Sequence, residues 1–370
     1  MKKNILIAIH YMELGGAEMS LLGLLGSLDY AGNEVDLFVY SHRGELMKWI
    51  PKKVNLLPEM PEYKQIERPI KDVLKDGFIR IAFARLLAKA QFRKYVRHKH
   101  PADGSAIFSY VSKSLSKILP DINPEKEYDL AVSYLAPHDY VLDHVRAKEK
   151  VAWIHTDYSG IDVDVDLELP IWSGYDKIVS ISPDVTRSFL KVFPTLAGKI
   201  VERPNVVPPD YVRRRSEEMS PEDVEKDMPK ASGRVNLLSV GRFCHAKNYD
   251  NVPDICRRIR QKGVEAYWYL IGFGGDEGLI RQRIAEAGMD EYVRILGKKE
   301  NPYPYMKACD FYVQPSRYEG SPMTILEAQA LGRGVIVTDF PTAGSISGVD
   351  IVPSDNEGCA AGIALLIRKV

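Results

Sequence analysis

Residues 312–340 read YVQPSRYEGSPMTILEAQALGRGVIVTDF, and reading this stretch as strand, loop, helix and strand decides the fold class. Tyr312 and Val313 end a strand, and residues 315–321 are loop. Pro322 suits the first helical turn, where its missing N–H costs little. Met323, Leu326, Ala330 and Leu331 recur at helical spacing. Gly332 and Gly334 stop the helix, and Val335, Ile336 and Val337 begin the next strand. In an open α/β sheet such a loop lies at the carboxyl ends of the strands, where ligands bind. The helix start directs free N–H groups and a partial positive charge into the same space. Two glutamates, Glu319 and Glu327, stand eight positions apart across it. Glu319, just ahead of the helix, can accept from hydroxyls such as those of a sugar. Glu327, about one turn in, can hold a ribose diol, and the amides of Met323 and Thr324 can face a phosphate. For either glutamate alone, a helix cap or a solvated side chain is the plainer account.

The whole string resembles the E-x7-E signature of retaining family-4 glycosyltransferases (glycosyl transferases group 1), written in the form EGFGLVxLEAMAxGxPVV. The resemblance implies an α/β chain of the GT-B type, two Rossmann-like domains facing each other across a cleft. It also implies a nucleotide-sugar donor held mainly by the C-terminal domain, with Gly320 and Ser321 in the donor loop beside Glu319. The expected division is residues 1–207 as the acceptor-side domain, 208–233 as the interdomain connection with a surface helix, and 234–370 as the donor domain. Family members continue with a helix that crosses back onto the first domain. The sequence stops at Val370 inside NEGCAAGIALLIRKV, so a second domain truncated at its end is expected.

Upstream of the opening stretch, residues 235–240 (VNLLSV) read as a buried strand, followed by GRFCHAKN. Arg242 and Lys247 stand on this strand-end loop. Arginine can bind a phosphate through two N–H bonds and lysine supplies a point charge, although loop cations are usually just solvated. The family pattern GRxxxxKN matches, and implies that both hold the donor pyrophosphate. Residues 266–271 form the next strand, with Gly272 opening a glycine loop, and Lys298 follows a short strand where family members contact the base.

In the first domain, residues 4–10 read as a parallel strand leading to Gly15, Gly16 and the helix SLLGLLGSL. No GxGxxG is present, so the dinucleotide fingerprint is missing and an oxidoreductase is disfavoured. The glycines are turn residues on pattern alone; the resemblance places them near donor diphosphate or acceptor. Residues 35–40, 128–134, 150–154 and 175–182 read as further strands. His155 follows the strand KVAWI, and the resemblance implies contact with the donor sugar; a structural histidine is the alternative. The alternation in GIDVDVDLELP suggests extended structure or a loop. Its acidic residues could hold a metal, but this fold class works without one, and no metal or other cofactor is expected.

Residues 71–100 carry Arg85, Lys89, Arg93 and Arg97 every four positions, a basic stripe on one helical face. Phe83, Leu86, Leu87 and Ala90 supply the apolar face. Such a helix either packs on the core with a solvated basic side or lies on an anionic membrane. No nucleic-acid module accompanies it.

The 370 residues suffice for two domains, and 45% hydrophobic with 27% charged content is ordinary for a soluble globular protein. Lys+Arg and Asp+Glu balance at 50 each, which points to no polyanionic partner. Four scattered cysteines fit a reduced, cytoplasmic setting. The start, MKKNILIAIHYMELGG, has too short an apolar run for a signal peptide, and no run approaches the roughly 20 apolar residues of a spanning helix. The expected activity is transfer from a UDP- or GDP-sugar, UDP preferred, to a glycan or lipid-linked acceptor of a surface polysaccharide, at the cytoplasmic side and peripheral to the membrane. A GT-B nucleotide-sugar epimerase or hydrolase and a non-catalytic nucleotide-sugar scaffold are the alternatives. No residue stands out as a nucleophile, which favours front-face attack over a covalent intermediate.

Overall fold

The computed structural model describes residues 2–101, 104–319 and 322–369. The chain divides into two compact units, Met1–Val206 and Val207–Val370.

The first unit is built on seven strands: β1 (Lys3–Ile9), β2 (Asn33–Val39), β3 (Asn55–Leu56), β4 (Tyr128–Ser133), β5 (Ala147–Ile154), β6 (Lys177–Ser180) and β7 (Ile200–Glu202). They pair in parallel in the order β3-β2-β1-β4-β5-β6-β7. Ile7 of β1 stands opposite both Leu37 and Val132. Parallel strands covered on both faces read as continuous apolar runs rather than alternating ones, which is why NILIAI and EVDLFV are legible as sheet. A large aromatic core, including Phe38, Tyr40, Tyr63 and Tyr140, fills one side.

Two expectations for this unit are corrected. Residues 71–100 form two helices, Ile70–Lys75 and Ile79–Lys99, and the longer one is turned the other way round. Arg85 is buried, its guanidinium donating to the carbonyls of Gln65 (2.7 Å) and Arg68, so it is not a membrane-facing residue. Small Ala82 and Ala88 with Ile81 make the buried face, while Phe83, Leu86 and Leu87, expected inside, are 62%, 51% and 48% exposed. The reason is steric and polar together: a helix lying close against the helix Ile107–Ser116 needs small side chains, and the two carbonyls of the preceding turn require a donor. The acidic segment is also not extended throughout. Val165–Ser173 is helical behind Asp164 at its N-cap, with Asp166 and Glu168 in the first turn, where the helix dipole favours carboxylates.

The second unit has six parallel strands: β8 (Arg234–Val240), β9 (Glu265–Ile271), β10 (Val293–Gly297), β11 (Phe311–Gln314), β12 (Gly334–Thr338) and β13 (Asp350–Val352). Their order is β10-β9-β8-β11-β12-β13. The order reverses between β8 and β11, which pair through Phe311↔Leu237 and Tyr312↔Leu238. Residues 208–233, expected as a connection, carry the helices Pro209–Ser216 and Pro221–Asp227 and belong to this unit. Burial of Tyr211, Val212, Val224 and Met228 holds them there. No helix among the described residues is long and apolar enough to cross a membrane.

Candidate functional site

The reversal between β8 and β11 creates a crevice at the carboxyl ends of two neighbouring strands, the place where open α/β sheets bind ligands. Two loops meet in it. After β8 runs Gly241–Asn248, with a single turn at His245–Lys247; after β11 runs the loop to the helix Met323–Ala330. The loops are pinned to each other. Arg317 forms a bidentate pair with Asp250 (2.8 and 2.9 Å) and donates to the His245 carbonyl at 2.7 Å. Its own amide donates to the Ala246 carbonyl at 2.8 Å.

This pinning brings Lys247 and Glu319 together. Lys247 Nζ lies 2.6 Å from Glu319 Oε1, with Glu319 buried. Gln314 Nε2 and Ser316 Oγ, both fully buried, donate to the same oxygen at 2.5 Å each. Three donors therefore converge on Oε1, and Oε2 takes none among the described residues. The carboxylate is thus fixed through one of its two oxygens. Arg242, five positions before Lys247, is exposed and makes no ion pair among the described residues.

Gly272 lies beside this loop with φ +153°, and a Cβ there would stand 1.9 Å from the Gly241 carbonyl oxygen. The Gly241 amide donates to Ile271 O and the Phe243 amide to Phe273 O (3.0 and 2.8 Å). Only glycine allows so close a backbone approach. Lys298 is exposed, its Nζ 5.2 Å from the centre of the Phe273 ring, and Phe273 is itself 55% exposed. An exposed aromatic face beside a cation suits a planar base.

Met323 and Thr324 open the helix, so no intrahelical carbonyl accepts from their amides. Glu327 faces inward. Its Oε1 accepts from the Tyr303 hydroxyl at 3.1 Å, and burial pushes its carboxyl up to about 7. The helical face that packs inward holds Ile325, Glu327 and Ala328 rather than Leu326 and Ala330. Gly320 and Ser321 lie outside the described residues.

The remaining candidates belong to the first unit. Gly15 precedes the helix Gly16–Ser27, and a Cβ on it would meet Glu18 Oε2 at 2.3 Å. Glu18 is buried and its carboxyl is raised by burial. The glycine thus leaves room for a carboxylate at the helix start, where the sequence suggested a phosphate. His155 directly follows β5; its Nε2 is enclosed without a partner among the described residues, and burial lowers it to about 4. It borders a cavity of 160 Å³ shared with His138, Asp139, Glu168, Trp153 and Trp172. Both Asp139 oxygens are enclosed, with the Ser112 hydroxyl beside them. Burial pushes Asp139 up to about 7.

Sequence reasoning did not find Gln314, Ser316, Arg317, Phe273 or Asp139. Gln314 and Ser316 carried a faint signal, two polar residues at strand spacing ahead of Glu319. Arg317 with Asp250 carried none, since the two are distant in sequence, and Asp139 stood out only once its burial was known.

Residues 234–369 match the family model Glycosyl transferases group 1. The chain is similar to the putative glycosyltransferase EpsF of Bacillus subtilis (strain 168), 30% identical over 122 residues, 33% of this chain and 32% of that protein. It is also similar to the N-acetylgalactosamine-N,N'-diacetylbacillosaminyl-diphospho-undecaprenol 4-alpha-N-acetylgalactosaminyltransferase of Campylobacter jejuni, 30% identical over 126 residues, 33% of this chain and 34% of that protein. The matches span about a third of the length of these curated relatives. Among solved structures, Anabaena HepE in complex with UDP superposes with TM-score 0.61 at 16% identity, covering 100% of this chain and 90% of that one. Residues 234–369 thus match the glycosyl transferases group 1 model, on a chain with the GT-B fold.

Proposed function

We propose that this protein is a retaining, metal-independent glycosyltransferase of family 4. It moves a sugar from a UDP-sugar, rather than a GDP-sugar, to a glycan or lipid-linked acceptor in surface polysaccharide biosynthesis, at an anionic membrane surface. The observation that carries this reading is the Lys247–Glu319 pair at the sheet reversal, on a loop that also carries Arg242, which forms no ion pair among the described residues. In this reading Arg242 and Lys247 neutralise the diphosphate as it leaves, the electrostatic term that dominates such reactions. The amides of Met323 and Thr324, with Gly320 and Ser321, line the phosphates, and Gly272 leaves space for them. Glu319 Oε2 orients a donor hydroxyl, Glu327 faces the ribose, and Lys298 with Phe273 faces the base. His155, neutral at physiological pH, offers a hydrogen bond to the sugar without adding charge. The Gly15–Gly16 helix start, occupied by Glu18, suits acceptor hydroxyls better than phosphate. The UDP complex of Anabaena HepE supports the base, and the undecaprenol-linked substrate named for the Campylobacter enzyme supports the acceptor class.

The test is a thermal-shift screen of UDP, GDP, uridine and UDP-sugars. A ligand at about 100 times its Kd stabilises the native state by about 2.7 kcal/mol. A larger shift with UDP than with GDP is expected, and none with uridine at the same concentration. No shift with either diphosphate would overturn the donor reading. Turnover to free UDP without acceptor would favour a hydrolase or epimerase.

A further inference from the structure

The helix Ile79–Lys99 presents an outer face that nothing in its own unit covers. Ile79, Phe83, Leu86 and Leu87 are 67%, 62%, 51% and 48% exposed. At about 100° per residue these four, with Ala90, fall inside an arc of about 100°. Lys94 and Arg97 continue the same arc toward the C-terminus, and Arg93 lies at its edge. All three are exposed and form no ion pair among the described residues. Arg80 and Lys89 flank the apolar part. The helix contains no acidic residue.

Four large apolar side chains in one contiguous stripe are unusual on a soluble surface, where isolated exposed hydrophobics are the rule. Their absence from the core is not a packing failure, because Ile81, Ala82, Arg85 and Ala88 already complete the inner face. A helix whose first half bears an apolar stripe and whose second half bears cations on the same side, with no carboxylate, can dip its N-terminal half into an anionic leaflet while its C-terminal half stays at the headgroups. A protein partner of opposite character would need an acidic groove with an apolar floor; a leaflet supplies both features along the full length of the helix.

We propose that the helix Ile79–Lys99 docks this protein on an anionic membrane by inserting Ile79, Phe83, Leu86 and Leu87 among the acyl chains, while Arg93, Lys94 and Arg97 rest on the headgroups. This differs from a purely electrostatic stripe. Arg85 takes no part, and binding keeps a salt-resistant component because insertion is unaffected by screening. The inference deepens the membrane side of the proposed function, yet vesicle binding is read with no sugar donor present. Failure of nucleotide binding would leave it standing, and its failure would leave the donor site standing.

The experiment is co-sedimentation of the full chain with vesicles of phosphatidylcholine alone or in equal parts with phosphatidylglycerol, at about 0.1 M and about 1 M salt, which shortens the screening length from about 10 to 3 Å. The parent should sediment with the anionic vesicles, and part of that binding should survive high salt. Replacing Ile79, Phe83, Leu86 and Leu87 together by Ser should lower the partition coefficient more than about tenfold. Because these side chains are exposed, the variant should keep its circular dichroism spectrum. A second variant, Arg93→Glu with Lys94→Glu and Arg97→Glu, should lose the salt-sensitive part of the binding and leaves the apolar stripe intact, so the two variants report separately. No parent binding at low salt, or equal binding by parent and Ser variant, overturns the proposal. So does light scattering that finds a dimeric parent and a monomeric Ser variant, since the stripe would then be an interface between two copies.

Discussion

Replacing Lys247 by Met separates what this lysine does for the fold from what it does for a ligand. Its Nζ lies 2.6 Å from Glu319 Oε1, and the two side chains keep 18% and 8% exposure. Without the ammonium, Glu319 retains the Gln314 and Ser316 donors but becomes an enclosed anion with no countercharge. Removing one partner of a buried pair costs about 3–5 kcal/mol. Two residual donors and a partly open site argue for the lower end, about 3 kcal/mol. Glu319→Gln in the same chain removes the stranded charge, so the double variant should recover at least about 1 kcal/mol relative to additive losses. Arg242→Ala is the contrast. Exposed and without an ion pair among the described residues, it should leave stability within about 0.5 kcal/mol. It should nevertheless weaken UDP binding by about 1.5–3 kcal/mol, roughly 10- to 150-fold, with uridine unaffected. Urea titration, reading the transition that UDP shifts, measures the stabilities, and titration calorimetry measures affinity. Additive losses in the double variant would refute the buried-pair argument. An unchanged UDP affinity in Arg242→Ala would refute the diphosphate clamp.

Glu327 is raised by burial from 4.5 to about 7. The folded state therefore holds a proton across that window that the unfolded chain has released, and its contribution to stability falls as pH rises from about 4.5 to 7. Glu327→Gln cannot ionise, so it should gain stability relative to the parent at pH 8 compared with pH 5, while binding UDP less well; a difference from the parent that is the same at both pH values refutes this. Gly272→Ala places a methyl against the Gly241 carbonyl at a positive φ and should cost about 3 kcal/mol; an unchanged Tm would show that the loops can move apart.

What the amino-acid order determined by itself is local. Apolar runs such as NILIAI and VNLLSV declare buried parallel strands, because a strand covered on both faces needs no polar alternation. The loop after β11 was legible for the same reason: Pro322 opens a helix, Gly332 ends one, and a strand on each side leaves a single topology for the turn. Strand-end position, with the resemblance to the family patterns GRxxxxKN and E-x7-E, then made Arg242, Lys247 and Glu319 candidates before any contact was known.

Tertiary structure decided which of these residues act on each other and which face is inside. Lys247 and Glu319 are 72 positions apart and meet because β8 and β11 are neighbours at the sheet reversal. Arg85 shows the limit of periodicity. Its spacing with Lys89, Arg93 and Arg97 describes a stripe, but spacing is symmetric between the two sides of a helix. The choice of side went to the one with small residues, which could approach a neighbouring helix, and Arg85 satisfied two carbonyls there while Phe83, Leu86 and Leu87 were turned outward. Glu327 illustrates the same point from within the site. Its position on the helix was readable, but its burial against Tyr303 depends on helices from residues 209–227 folding back onto the second unit. Contacts between remote segments are set by how surfaces fit, and no local pattern encodes that fit.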